Sequence, residues 1–306
     1  MDEIYEFRIP SAFANKYLEN EYRSKAKGSV KVVRTEKGSN LFRKIINLQR
    51  FYYDEGKSFF FGWDIIRKYS LDEIRSSKNL YVKIKKTINS CGQENGTIYN
   101  DSQSCRLCGA GGFQINDLIL DKKKIPNPNK NAVWKTIAGE IGVSLSFANI
   151  LIDSGCPSNL FGQIRDNKSR NKVVPEWLQL KVDSFMHEFS QRTVSGINPF
   201  NIENKLNKST DDFLESITPY SDIEKYNYKC PLGHTIGLNL LSEIFLKNQD
   251  VSIGPILLSW TKQCVGVRRG FLRPEHCLII KPNLYKKIKK NKIIGLDFEI
   301  AHCDFE

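Results

Sequence analysis

Two cysteines three residues apart, Cys105 and Cys108, are followed at once by Gly109. In such a knuckle the turn directs both sulfurs towards one centre, and a glycine permits the positive φ that the turn requires. The pair is compatible with three kinds of site: half of a zinc site, a redox pair, or two unrelated thiols. A zinc site of this kind needs further ligands from elsewhere in the chain.

The best candidate for the second half is Cys230-Pro231-Leu232-Gly233-His234, 125 positions downstream. We predict a Cys3His site in which Cys105, Cys108, Cys230 and His234 hold a structural Zn²⁺, because thiolate and imidazole together select zinc over Mg²⁺ or Ca²⁺. A thiol cluster without metal is the main alternative. Redox chemistry is disfavoured because no thioredoxin-like strand–CxxC–helix pattern surrounds the pair. Cys91 is a possible additional ligand.

Catalytic motifs are absent from the sequence: it contains no P-loop, GxGxxG, HExxH or GxSxG pattern. Two histidines precede cysteines, in His276-Cys277 and His302-Cys303. Neighbours in a strand point to opposite faces, so neither pair can act as a dyad by itself, although a composite pair of Cys303 with His276 stays open. The sequence therefore predicts a protein that is not an enzyme and has no catalytic residues.

The 306 residues carry a formal charge of +12, and eight cysteines accompany an acidic N-terminus without an apolar signal core. These features favour reduced thiols in the cytoplasm and no membrane span. A basic chain can meet nucleic acid, an anionic membrane or an acidic protein. Two features are candidates for such contacts: the lysine-rich segment Tyr285–Lys292, and Arg268-Arg269 with Arg273. A solvated lysine-rich surface is the simpler interpretation.

A strand–helix–strand pattern occurs twice. The first copy runs from a strand that ends at Ser144, through a helix, to a strand near Phe161, and Ser144 is the predicted N-cap of the helix. The second copy runs from a strand at Cys277, through a helix that begins at Pro282, to a strand at Phe298. A shift of 137 positions superimposes the apolar residues of the two copies. This pattern predicts an internal repeat, with chance alignment of common apolar residues as the alternative.

The remaining periodicity predicts strands at 4–9, 80–84 and 175–180, and a helix around His187. We therefore expect an α+β fold of two related small α/β units joined by a zinc-ribbon-like knuckle, with an N-terminal mixed region. The expected segments are 1–100, the N-terminal region; 101–166, the first unit; 167–228, a connecting segment; and 229–306, the second unit. The polar residues 198–212 are a candidate domain boundary or mobile insert.

Several motifs together resemble the double-CxxCG motif family of bacterial proteins. The motifs are Cys105-x-x-Cys108-Gly109, Thr136-x-Ala138-Gly139-Glu140-x-x-Val143-Ser144, Cys230-Pro231-x-Gly233-His234, Gly270-x-Leu272-Arg273-Pro274 and Gly295-x-x-Phe298-Glu299. The resemblance covers about residues 100–303. In the second knuckle Gly233 stands where the family pattern has a cysteine, and His234 follows.

This family is linked to immunity against polymorphic, contact-dependent toxins. The resemblance implies a non-enzymatic cytoplasmic protein that binds a cognate protein toxin and covers its active site. Charge complementarity between a basic protein and an acidic toxin face would then set the association rate. A basic nucleic-acid-binding or defence-associated zinc protein is the alternative.

Overall fold

The computed structural model describes residues 1–18, 28–169, 172–197, 199–200, 228–247 and 256–304. The chain divides into two compact units: unit 1 comprises residues 1–71 and 198–208, and unit 2 comprises residues 72–197 and 209–306. No helix in the described ranges is both long and apolar enough to span a bilayer. The candidate boundary at 198–212 falls mostly outside the described residues.

Strands and helices are numbered here in chain order. The strands are β1 (Asp2–Pro10), β2 (Val30–Glu36), β3 (Gly62–Lys68), β4 (Asn79–Ile84), β5 (Thr87–Ile88), β6 (Tyr99–Asn100), β7 (Phe113–Gln114), β8 (Leu118–Leu120), β9 (Val133–Thr136), β10 (Ile141–Ser144), β11 (Phe161–Asp166), β12 (Lys172–Leu180), β13 (Phe185–His187), β14 (Ser195–Gly196), β15 (Asn239–Leu240), β16 (Ile244–Lys247), β17 (Leu258–Val265), β18 (Glu275–Ile280) and β19 (Leu296–Asp304). The α-helices are α1 (Ser11–Leu18), α2 (Asn40–Asp54), α3 (Leu71–Ser76), α4 (Leu145–Asp153) and α5 (Pro282–Lys290).

Unit 1 is an antiparallel sheet in the order β2-β1-β3 with helices α1 and α2. Alternation along β1 buries Tyr5, Phe7 and Ile9 on one face. The ring of Phe42, from α2, lies 4.7 Å from the ring of Tyr5, and that of Phe60 lies 5.0 Å from that of Phe7. The aromatic residues of unit 1 therefore mainly pack in its core.

Unit 2 contains two six-stranded sheets, in the orders β5-β9-β10-β12-β11-β8 and β13-β17-β18-β4-β19-β16. The outermost pair at each edge is parallel and the inner pairs are antiparallel, in both sheets. Residues of both sheets and of both α4 and α5 line a common apolar interior. The α+β prediction is thus confirmed.

The repeat is longer than the sequence pattern indicated, because each strand from β4 to β11 has a counterpart eight strands later, from β12 to β19. We name residues 79–166 repeat 1 and residues 172–304 repeat 2. The pairing registers correspond: Ile164 lies opposite Leu118 in repeat 1, as Ala301 lies opposite Ile244 in repeat 2. Likewise α4 and α5 have the same length and are separated by the predicted 137 positions.

The repeats exchange their first strands. Strand β4 begins repeat 1 but lies between β18 and β19 of repeat 2, whereas β12 begins repeat 2 but lies between β10 and β11 of repeat 1. The registers again match, since Phe161 faces Leu180 and Phe298 faces Val82. Each sheet is therefore completed by a central strand from the other repeat, as in a domain swap within one chain.

The structure confirms the residues predicted to begin helices α4 and α5. The hydroxyl of Ser144 accepts a hydrogen bond from the backbone N–H of Phe147, and Pro282 is at the start of α5. The predicted helix around His187 is wrong, because that residue ends strand β13 in parallel pairing with β17. Residues 113–120 contain two short strands that do not pair with each other, since β7 pairs with β6 and β8 pairs with β11.

The two compact units differ from the four expected segments. Strand β4, expected in the N-terminal region, is central to a sheet of unit 2, and β12, expected in a connecting segment, is central to the other. Pairing of this kind depends on strands distant in sequence, which composition along the chain does not reveal.

Candidate metal centre

The four predicted ligands meet in space. Cys105, Cys108, Cys230 and His234 each offer a ligand atom, and these atoms all lie within 4.8 Å of one another. The Sγ atoms of Cys105 and Cys230 are 3.8 Å apart, and the Sγ atom of Cys230 is 3.8 Å from Nδ1 of His234. The cluster can therefore hold a metal ion.

These distances fit a tetrahedral zinc site. A Zn–S bond of about 2.3 Å places neighbouring sulfurs roughly 3.8 Å apart around a tetrahedron, as observed between Cys105 and Cys230. A disulfide would need about 2.05 Å between sulfurs, and all eight cysteines are free. Donor chemistry and spacing thus fit zinc better than a disulfide.

Each repeat supplies one knuckle from the same place, between β6 and β7 in repeat 1 and between β14 and β15 in repeat 2. The backbone N–H of Cys105 donates to the carbonyl of Ala110 at 2.7 Å, and that of Cys230 donates to Thr235 at 3.0 Å. Glycine permits each turn, because Gly109 has φ +76° and Gly233 has φ +79°. Equivalent turns therefore present ligands from the two repeats to one centre.

Apolar residues enclose the sulfur side of the cluster. The three cysteines are buried with Tyr228 and Val267, whereas His234 is exposed. Burial raises the pKa of Cys108 to about 12. Burial also opposes ionisation of Cys105, but hydrogen bonds from the backbone N–H groups of Cys108 and Leu107, and from His234, lower its pKa to about 7. Buried thiols of this kind need a cation to become thiolates together.

The first knuckle is fixed by the connection between β17 and β18 in repeat 2. The backbone N–H of Arg268 donates to the carbonyl of Cys108 at 2.9 Å. The Asp101 carboxylate, just before the knuckle, accepts from Nη1 of Arg273 at 2.7 Å and from Nη2 at 3.1 Å. The same carboxylate lies 2.7 Å from Nη1 of Arg268. The hydrogen bonds to Arg273, and then that to Arg268, lower the pKa of Asp101 to about 2.

These contacts change the interpretation of the arginine-rich turn. Arg268 and Arg273 are candidates from the sequence for contacts with a ligand, and in the structure both form ion pairs with the protein's own Asp101. The guanidinium of Arg269 lies 5.0 Å from the ring centre of Tyr228. The role of Asp101 was missed, since nothing in its spacing links it to arginines more than 160 positions later.

Strand β17 fixes the second knuckle. The backbone N–H of Cys264 donates to the carbonyl of His234 at 2.8 Å. Cys264, and not Cys303, is the thiol beside His276, with its Sγ 3.2 Å from Nε2. Burial raises the pKa of Cys264 and lowers that of His276, which favours a neutral pair over a thiolate–imidazolium pair.

The other cysteines lie outside the cluster. Cys91 is buried but does not belong to the four-residue group, and Cys303 accepts a hydrogen bond from the side-chain amide of Asn79 at 3.3 Å. In the described parts of the chain, the four-residue group is the only set of His, Cys, Asp or Glu side chains close enough to hold a metal.

A cleft of about 680 Å³ adjoins the cluster, and His234 is part of its wall. Two of its charged groups form an ion pair, in which Nζ of Lys135 lies 2.5 Å from Oε2 of Glu275. The Glu140 carboxylate accepts hydrogen bonds from the Tyr99 hydroxyl at 2.8 Å and from the Thr136 hydroxyl. These carboxylates therefore have hydrogen-bond or ion-pair partners within the protein.

Comparison with known proteins adds no relative: the chain matches no protein-family model, no curated protein and no solved structure.

Proposed function

We propose that this chain is a zinc-stabilised binding protein of the immunity type, which neutralises a cognate bacterial toxin in the cytoplasm of the producing cell. The supporting observation is the closed set of four donor atoms within 4.8 Å, contributed equally by the two repeats. Four protein ligands leave a tetrahedral zinc ion no open position for substrate, so the metal would be structural. The link to toxins comes from the motif resemblance in residues 100–303.

In this proposal, zinc would join two knuckles 125 positions apart and hold the two repeats in register. Each bound thiolate would contribute to folding directly, since the unfolded chain offers no preformed site. The residues of the chain would then do no bond chemistry. Their task would be to present a stable surface that covers the active site of the toxin.

The metal part of the proposal is tested by elemental analysis of protein purified without added metal. About one zinc per chain is expected, with release on treatment with a thiol-reactive mercurial. Protein that folds with the same stability in the presence and absence of a strong chelator, and that contains no zinc, would contradict it.

The immunity part is tested by survival. The chain is co-expressed with the toxin domain encoded by the gene beside its own, and it is expected to restore growth. Because the proposed mechanism is occlusion, protection should require a stable stoichiometric complex on size-exclusion chromatography. Protection by catalytic amounts of the chain, or turnover of any substrate, would contradict the binding mechanism.

A further inference from the structure

Helix α5 presents a lysine-rich surface. It buries Leu284, Tyr285 and Ile288 and exposes four lysines, and Lys292 follows the helix. Lys287 donates to the backbone carbonyl of Asp153, and Lys289 lies over the rings of Tyr285 and Phe298. The remaining three, which we name the lysine face, are Lys286, Lys290 and Lys292.

The lysine face is exposed and unneutralised. Lys286 and Lys290 are four positions apart, so they lie on the same side of α5. Among the described residues, no carboxylate lies within ion-pair distance of these three ammonium groups, although ion pairs such as Lys85 with Asp297 occur nearby in sequence. Like charges at this spacing repel slightly, so the cluster does not help the helix by itself.

The repeat provides an internal control. Helix α4 has the same length and the same position in the fold, but Asn149, Asp153 and Gly155 stand where α5 has Lys286, Lys290 and the following Lys292. Lysine at the end of α5 is favoured by the helix dipole, yet α4 folds with Asp153 at the matching end. The architecture therefore does not require the lysine face.

Exposed apolar side chains border this surface. Ile294, two residues after Lys292, is 59% exposed, and Ile152, beside the Asp153 carbonyl that Lys287 contacts, is 38% exposed. An interface with an apolar core and a polar rim would place these two isoleucines in the core and the lysines at the rim. Nucleic-acid recognition would favour arginine and exposed aromatic rings, but Tyr285 is buried and Arg268 and Arg273 hold Asp101.

We propose that the lysine face, with Ile152 and Ile294 at its border, is the docking surface for an acidic protein partner. The proposal rests on the proposed binding function and specifies where on the chain it occurs. Charge complementarity would accelerate encounter with the partner, and the apolar border would stabilise the bound complex.

The test compares two double variants with the same change in net charge. Lys286→Glu with Lys290→Glu reverses the lysine face. Lys123→Glu with Lys124→Glu reverses two exposed lysines in a loop of repeat 1 and serves as the matched control. The circular dichroism spectra of the full chains should be unchanged, because none of these ammonium groups contacts the core. The thermal midpoint of the lysine-face variant should fall by only a few degrees, since Lys290→Glu reverses a weak interaction with the dipole of α5.

Binding is measured by fluorescence anisotropy with labelled poly-L-glutamate and with a DNA duplex of about 20 base pairs. We expect the wild-type chain to bind the acidic polypeptide, the lysine-face variant to bind it about tenfold more weakly, and the control variant to change little. Equal weakening in both variants, no binding of poly-L-glutamate, or stronger binding of DNA through the same two lysines would overturn the proposal.

The toxin survival assay separates this proposal from the proposed function. Loss of protection in the lysine-face variant alone would support the docking surface. Full protection by that variant would overturn the docking surface and leave the immunity function in place. If the wild-type chain gives no protection, the immunity function fails, while the poly-L-glutamate measurement still decides whether this face recognises acidic polypeptide.

Discussion

At one paired position of the two repeats, Trp134 lies opposite Gly142 in repeat 1, whereas Ser259 lies opposite Ile279 in repeat 2. A side chain at Gly142 would overlap the Trp134 ring, because its Cβ would clash with Cζ2. The large and small residues have thus changed places across the strand pair. The fold is specified by total volume and pairing register at this point, and not by which strand carries the large side chain.

The two knuckles differ in a similar way. Repeat 1 places its second ligand three residues after the first, at Cys108, and repeat 2 places it four residues after, at His234. Both turns keep the hydrogen bond from the first cysteine to the carbonyl five residues on. The later position and the longer imidazole together place Nδ1 of His234 3.8 Å from the Cys230 sulfur, the same distance that separates the sulfurs of Cys105 and Cys230.

Removing a metal ligand from the knuckle of repeat 1 should have the largest effect on stability. Cys105→Ser should abolish metal binding and lower the free energy of unfolding by roughly 4 kcal/mol or more, because the remaining buried donors lose their cation. Urea unfolding with zinc analysis measures both effects. Cys156→Ser is the control, since Cys156 is equally buried but lies outside the cluster; equal losses in the two variants would contradict a metal role.

Replacing the atypical ligand tests whether His234 completes the set. His234→Ala should weaken zinc affinity about 100-fold, equivalent to about 3 kcal/mol, as measured by competition with a chromophoric chelator. His234→Cys should retain tight binding, because a thiolate there restores a four-ligand zinc site. Unchanged affinity in the alanine variant would show that His234 is not a ligand.

The exchanged packing pair is tested at Gly142. Gly142→Ala should lower the free energy of unfolding by about 2 kcal/mol, since the added methyl group forces the Trp134 ring to move. In the background Trp134→Leu the same substitution should cost less, because the smaller side chain leaves room. Additive losses in this double-mutant cycle would contradict the volume exchange.

The ion pairs of Asp101 with Arg268 and Arg273 should make a smaller, pH-dependent contribution to the free energy of unfolding. Asp101→Asn should lower the free energy of unfolding by about 1.5 kcal/mol at neutral pH, after allowance for partial exposure. The pKa of Asp101 is lowered to about 2, so its contribution is complete above the ordinary value near 4 and is lost as the pH falls through about 2. Urea unfolding of the variant and wild type should therefore converge on acidification; a constant difference would exclude the ionic contribution.

Local signals allowed part of the structure to be predicted from the sequence. The cap at Ser144, the proline at the start of α5 and the ligand types at Cys105 and His234 depend on residues that are close together or chemically specific. The exchange of β4 and β12 could not be predicted, because strand partners are chosen by packing between segments far apart in sequence. The same limit applies to Asp101, because its ion-pair partners Arg268 and Arg273 are 167 and 172 positions away in the sequence.

Exchange of the central strands has a consequence for biosynthesis. Strand β4 emerges from the ribosome long before β18 and β19, which flank it on both sides in the folded chain. Its hydrogen-bonding edges consequently stay unpaired until β18 and β19, in residues 275–304, have been synthesised. The sheet that contains β12 takes all its strands from residues 87–180 and can close earlier, but the sheet that contains β4 cannot. Nascent chains of this protein should therefore depend on holding factors that shield the open strand β4 until β18 and β19 follow.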